Sequence, residues 1–174
     1  MSDKSNINEL FPQKREFETM LEESRVTTFR VQDYFRKQGY NVIDRQDDVI
    51  SQSIGISFEI YDPKRWMFRV VVKSDNKVHT TGNLFIEHKM ERSTKTAKGW
   101  MHYCLADILC YHDTVNDCGY LIWWRQMREE ASGFPLVEFR NPYDYATMGY
   151  GYLVPIEEAK ERGLIFHTYT LKTN

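Results

Sequence analysis

The sequence predicts one α/β domain of the mixed α+β kind. Three observations carry that expectation: a long helical pattern near the start, three segments that alternate with period two, and a strongly β-prone apolar run further on. The chain has 174 residues, 41% of them hydrophobic and 28% charged, enough for a core that needs no disulfides. Its 23 basic and 25 acidic side chains give a net charge of −2, which excludes a histone-like or polybasic role. Any anionic partner must be held by a local patch. Three cysteines without a C-x-x-C pair, and no apolar run near the N-terminus resembling a signal or membrane span, predict a soluble, reduced, cytoplasmic chain with no membrane partner. Residues 1–12 are expected to be flexible and 13–174 to form the single domain.

The elements follow in order. Phe17, Met20, Leu21, Phe29, Tyr34 and Phe35 recur at roughly helical spacing and Gly39 supplies a stop, so one helix is expected over 13–38, with a break near Val26–Thr28. Tyr40–Ile43 reads as a connector with a short strand. Ile54, Ile56, Phe58 and Ile60 then fall on one strand face, with the turn at Asp62–Arg65. Phe68, Val70 and Val72 form the apolar set of a second strand, and Leu84, Ile86 and His88 that of a third. The three are expected to make an antiparallel meander. Gly99–Asp113 reads as a mostly buried helix. The run Tyr120–Trp124 reads as a strand lying parallel to a neighbour, 134–139 and 150–154 as edge strands, and Pro155–Gly163 as a short helix with both ends marked.

Loop centres place Glu59, Val71 and Glu87 roughly opposite one another, with Lys73 and Lys89 on the same face. Two carboxylates and two ammonium groups on one patch suit metal-assisted phosphodiester hydrolysis. The acids hold a hard divalent cation, and a lysine orients or stabilises the attacking hydroxide.

These residues also carry a resemblance. Lys73-Ser74-Asp75, then Thr81-Gly82-Asn83-Leu84-Phe85-Ile86-Glu87, then Ala106-Asp107 is similar to phage and prophage members of the PD-(D/E)xK nuclease superfamily, over roughly residues 15–125. The resemblance implies a restriction-endonuclease-like core: helix, three-strand meander, helix and strand, here with a decorated C-terminal region. It implies an acid on one strand and an acid-x-Lys triplet on the next, Mg2+ (or Mn2+) as cofactor, DNA as substrate, and the host cytoplasm if the chain is phage-encoded. On that pattern the triplet ends at Lys73, a second acid sits at Glu87, and Glu59 stands for the first acid, with Asp62 and Asp75 as rivals. Asp75 is also a candidate metal ligand, the poorer one, since it lies on the order of 13 Å from the level of Glu87. Glu22 or Glu23 would supply a first-helix acid.

Val71 occupies the place of the triplet's acid. Either the acid has migrated, so that Glu87 supplies the lost ligand and Lys89 or Lys73 completes the site, or the site has decayed and the fold binds nucleic acid or a protein partner without cutting. Arg92, Lys95 and Lys98 would track a phosphate backbone. The plainer reading of Glu87 with Lys89 is a solvated cross-strand pair worth roughly 0.2–1 kcal/mol. His88, His102 and His112 fit zinc poorly, because His88 points to the expected core face and the other two lack ligand spacing. Cys104 and Cys110 read as core thiols, and at least one of Trp123 and Trp124 as core. The aromatic tail, 134–152, offers a third reading as the interface of a homodimer.

Overall fold

The computed structural model describes residues 12–92, 95–140 and 147–171, and the side chains of 18–92, 95–140 and 147–171. The expectation for the N-terminus therefore lies outside the described residues except at Pro12, as does the part of the aromatic tail at 141–146. Helix α1 (Pro12–Lys37) runs without a break, opening on Pro12, closing with Arg36 and Lys37 in its last turn, and followed by Gly39 at φ +87°. Its buried stripe is Thr27, Thr28, Val31, Gln32 and Phe35, whereas Met20, Leu21 and Phe29, expected in that stripe, are exposed.

Strand β1 (Asn41–Asp44), the short helix α2 (Val49–Ser53), β2 (Phe58–Tyr61) and β3 (Met67–Asp75) follow. Ile54 and Gly55, expected in the first alternating strand, instead close α2, where Asp48 caps the start and Gly55 takes φ +71°. After β3 come α3 (Val78–Thr81), β4 (Asn83–Arg92), β5 (Lys95–Lys98), α4 (Trp100–Tyr103), β6 (Ile108–Asp113), β7 (Cys118–Trp123) and α5 (Trp124–Glu130). A 3-10 turn at Ala131–Gly133, then β8 (Leu136–Arg140), β9 (Thr147–Pro155), α6 (Ile156–Glu161) and β10 (Ile165–Thr170) complete the chain.

Two sheets form. The first has six strands in the order β1-β2-β3-β6-β7-β10, with β3 and β6 parallel and every other pair antiparallel; the second has four antiparallel strands in the order β5-β4-β9-β8. One face of the large sheet packs Phe58, Ile60, Val70, Val72, Ile108 and Cys110 against Val31 and Phe35 of α1. The other packs Val71, Leu109, Tyr111 and Ile122 against Leu84 and Ile86 of β4, Trp100 of α4, Trp124 of α5 and Val154 of β9. The mixed α+β class is as the sequence predicts. No helix among the described residues is long and apolar enough to cross a membrane.

Three expectations are corrected. The antiparallel meander is β1-β2-β3, while the third alternating segment, β4, leaves the large sheet and pairs with β9 and β5. The expected helix at Gly99–Asp113 is a single turn followed by β6, whose six residues are all buried. A strand buried on both faces reads as a continuous apolar run, and periodicity cannot separate it from a buried helix. The parallel partner of β3 is consequently β6, and β7 runs antiparallel to it. In the small sheet β8 is an edge strand as expected, but β9 is internal.

Candidate functional site

Strands β2 and β3 pair from Tyr61↔Met67 to Phe58↔Val70 and then separate. One step beyond the last pair, Ser57 comes level with Val71: its amide donates to the Val70 carbonyl at 2.8 Å, and its Oγ accepts from the Val72 amide at 3.1 Å. Val71 is 4% exposed and lies beside Leu109 of β6. The register from loop centres is therefore displaced by two residues, because Glu59 is opposite Arg69 and not Val71. Arg65 at φ +67° and the Asp62 amide donating to the Trp66 carbonyl extend the turn beyond the expected Asp62–Arg65. The two positions that face each other across the ends of β2 and β3, Ser57 and Val71, thus hold a hydroxyl and an isopropyl group.

Glu59 is a structural acid. Its Oε2 takes the Arg45 guanidinium at 2.9 Å, with the Tyr61 hydroxyl at 3.5 Å. Glu87 lies on β4 in the second sheet, opposite Gly151, so it does not lie across strands from Val71. Its Oε1 accepts from the Trp100 amide at the start of α4, at 3.3 Å. Lys89 is drawn away from Glu87, pairing with Glu91 at 2.6 Å and lying 4.2 Å from the centroid of the Tyr150 ring. A bulge between Glu87 and Lys89 breaks their alternation and turns His88 toward His102, 2.9 Å away, and the Tyr152 ring, not into the expected core. Asp75, two positions beyond Lys73, accepts from the Tyr111 hydroxyl at 2.7 Å and the Lys77 amide at 2.6 Å. The patch anticipated from the sequence is thus dispersed over two sheets.

Lys73 remains central. Its ammonium lies 4.7 Å from the centroid of the Trp100 ring, and among the described residues it makes no hydrogen bond or ion pair. Burial pulls its pKa below the ordinary lysine value, opposed by Cys104 and Glu87. Three cavities meet at this residue. One, of about 420 Å³, lies where the two sheets converge and includes Asp75, Phe85, Trp100, Tyr111 and Phe139. A second, of about 430 Å³, runs to α1 and includes Glu23, Ser24 and Thr27; a third, of about 390 Å³, lies under α1 and α2 and includes Arg25, Gln52, Ser57 and Val71. Glu23 therefore lines a cavity that reaches Lys73, whereas Glu22 lines a separate one with Arg30 and His112.

The donor set beside Lys73 does not fit Mg2+ or Mn2+. A hard divalent cation requires several anionic oxygens. Here Ser57 and Val71 offer no charge, Glu59 is neutralised by Arg45, and Asp75 and Glu87 accept protein donors. Among the described residues no three His, Cys, Asp or Glu side chains gather into a metal-binding group.

Arg92, Lys95 and Lys98 lie on a separate feature. Exposed edge strand β5 sets Lys95 directly opposite Arg92, and Lys98 directly opposite Lys89. Like charges facing across strands are unfavourable on their own. Reading the sequence alone missed Ser57, the fork in which Asp107 accepts the Arg69 amide and guanidinium at 2.8–3.2 Å, and Trp100 and Tyr111 around Lys73. The five-residue turn at Asp62–Trp66 was the signal that would have found Ser57.

No family model matches the chain, and no curated protein matches it. Its structure is similar to that of a bacterial homing endonuclease, I-Ssp6803I, at a TM-score of 0.46 and 14% identity, over 61% of this chain and 70% of that one.

Proposed function

We propose that this chain is a nuclease-like domain that binds nucleic acid without hydrolysing it. The observation that supports this reading above the others is the pair Ser57 and Val71, which leave Lys73 without the carboxylates that would hold a cation at its side. Of the two readings open from the sequence, a migrated acid at Glu87 would give Lys73 a single carboxylate from the facing sheet, itself accepting from the Trp100 amide. The decayed-site reading needs no such transfer.

DNA is the expected partner, held by phosphate contacts at the basic ribbon. Arg92, Lys95 and Lys98 stand exposed on the β4–β5 hairpin, in a protein whose net charge of −2 gives no general attraction to polyanions. An edge strand rich in lysine also resists strand-to-strand aggregation. The test is fluorescence anisotropy of a labelled duplex across a salt series, with wild type beside Lys95→Ala/Lys98→Ala. Loss of affinity with a flatter salt slope is expected, and an unchanged slope would remove the ribbon from the interface.

A further inference from the structure

The cavity between the two sheets has the features of a small-molecule site. Its volume of about 420 Å³ lies within the range of ligand pockets. Phe85, Phe139, Trp100 and Tyr111 supply aromatic walls, and Val137 and Leu153 add apolar surface. Backbone geometry holds these walls in place. The Phe85 and Phe139 rings meet edge to face at 4.8 Å and lie directly over Gly151 and Gly149 of β9, where a Cβ would come within 2.3 and 2.1 Å of them. Trp100 is stacked on Trp124 at 4.5 Å and so presents a fixed surface.

The polar groups are few and convergent. Lys73 contributes an ammonium group with no hydrogen-bond acceptor among the described residues, Lys77 lies at the same end, and the single carboxylate, Asp75, is already bonded to Tyr111 and the Lys77 amide. Asn83 and Thr81 complete the polar edge. A half-buried ammonium group without a protein acceptor is stabilised by an anion that enters the cavity. Aromatic walls favour a planar ring beside that anion.

We propose that this cavity binds a nucleoside monophosphate unit, with its phosphate on Lys73 and its base among Phe85, Phe139 and Trp100. The unit is either a free mononucleotide or the 5′-terminal residue of a strand. This site is separate from the β4–β5 ribbon, so its occupancy does not depend on duplex binding there.

The experiment is titration calorimetry, with tryptophan fluorescence of Trp100 read in parallel, using dAMP, deoxyadenosine, inorganic phosphate and a 5′-phosphorylated trinucleotide. Saturable binding of dAMP that is tighter than deoxyadenosine, and at least tenfold weaker in Lys73→Met and in Phe139→Ala, is the expected result. Tighter binding of the trinucleotide than of dAMP would assign the site to a strand end, and the reverse order to a free nucleotide. No saturable signal with any nucleotide at millimolar concentration, equal affinity for deoxyadenosine and dAMP, saturation by inorganic phosphate alone, or an affinity unchanged in folded Lys73→Met would overturn the proposal. A failed ribbon, by contrast, would show only in the duplex salt series.

Discussion

The Ser57 hydroxyl accepts the Val72 amide at 3.1 Å, so a short neutral side chain closes the gap where β2 and β3 part. That contact fixes Ser57 level with Val71 and beside the cavity reached by Lys73. A carboxylate pair would need Asp at the first position and Glu at the second.

Installing that pair is a direct test of what is missing. Val71→Glu alone places a carboxylate at a 4% exposed site and should cost about 1–3 kcal/mol by urea unfolding. In Ser57→Asp/Val71→Glu the melting temperature should rise on adding Mn2+ and fall back with EDTA, while wild type shows neither response. A wild-type shift equal to that of the double variant would mean that another cation site exists.

Lys73 gives a pH signature in the alkaline range. Burial lowers its folded pKa below the unfolded value, so the unfolded chain binds the extra proton between the two values and stability rises with pH through that window. The cost of holding the charged lysine is fully present below the folded pKa. Relative to Lys73→Met, wild type should therefore gain stability as pH climbs toward the ordinary lysine value. Parallel profiles for the two proteins in paired urea titrations would show that Lys73 carries no burial penalty.

On the acid side, His102 and His112 behave alike in sign. Burial is the largest influence on each and lowers its pKa; His88 and Lys98 add to the lowering at His102, while Asp117 opposes it at His112. The unfolded chain then binds more protons just below the ordinary histidine value, and stability falls as pH drops through it toward the folded values. Thermal melts from pH 7.5 to 5 should show this loss, reduced in His102→Gln. A variant that loses stability as steeply as wild type would remove His102 from the effect.

Gly151→Ala should destabilise by about 1–3 kcal/mol, since its Cβ would come 2.3 Å from the Phe85 ring and the partner Phe139 would have to move with it. Chemical denaturation measures the loss. A neutral result would mean that the rings are free to move.

Much of the fold is legible in the sequence because local chemistry marks it. Pro12 and Gly39 bound α1, Pro155 and Gly163 bound α6, and the apolar run through Phe68, Val70 and Val72 marks β3. What is not legible depends on partners distant in sequence. Ile108–Asp113 is apolar on both faces, so no period distinguishes strand from helix, and nothing local says that β4 pairs with β9 about 65 residues on. The candidate site suffered most from the turn. The hairpin is centred on Lys64, so Glu59 faces Arg69 and Ser57 comes level with Val71, whereas a Glu59–Val71 pair needs its centre one residue further on, at Arg65. The surroundings of Lys73 were not legible, because Trp100 and Tyr111 reach it from elements that the sequence suggested were one helix.

The measurement closest to the central claim reads binding and strand integrity in one sample: labelled duplex and single-stranded DNA with the protein in Mg2+ or Mn2+, followed by anisotropy and then by denaturing gel, with EDTA controls. A salt-sensitive rise in anisotropy and full-length strands in every lane are expected. Metal-dependent shortening of the DNA by wild type, abolished in folded Lys73→Met, would contradict that claim and restore hydrolysis as the activity of this fold.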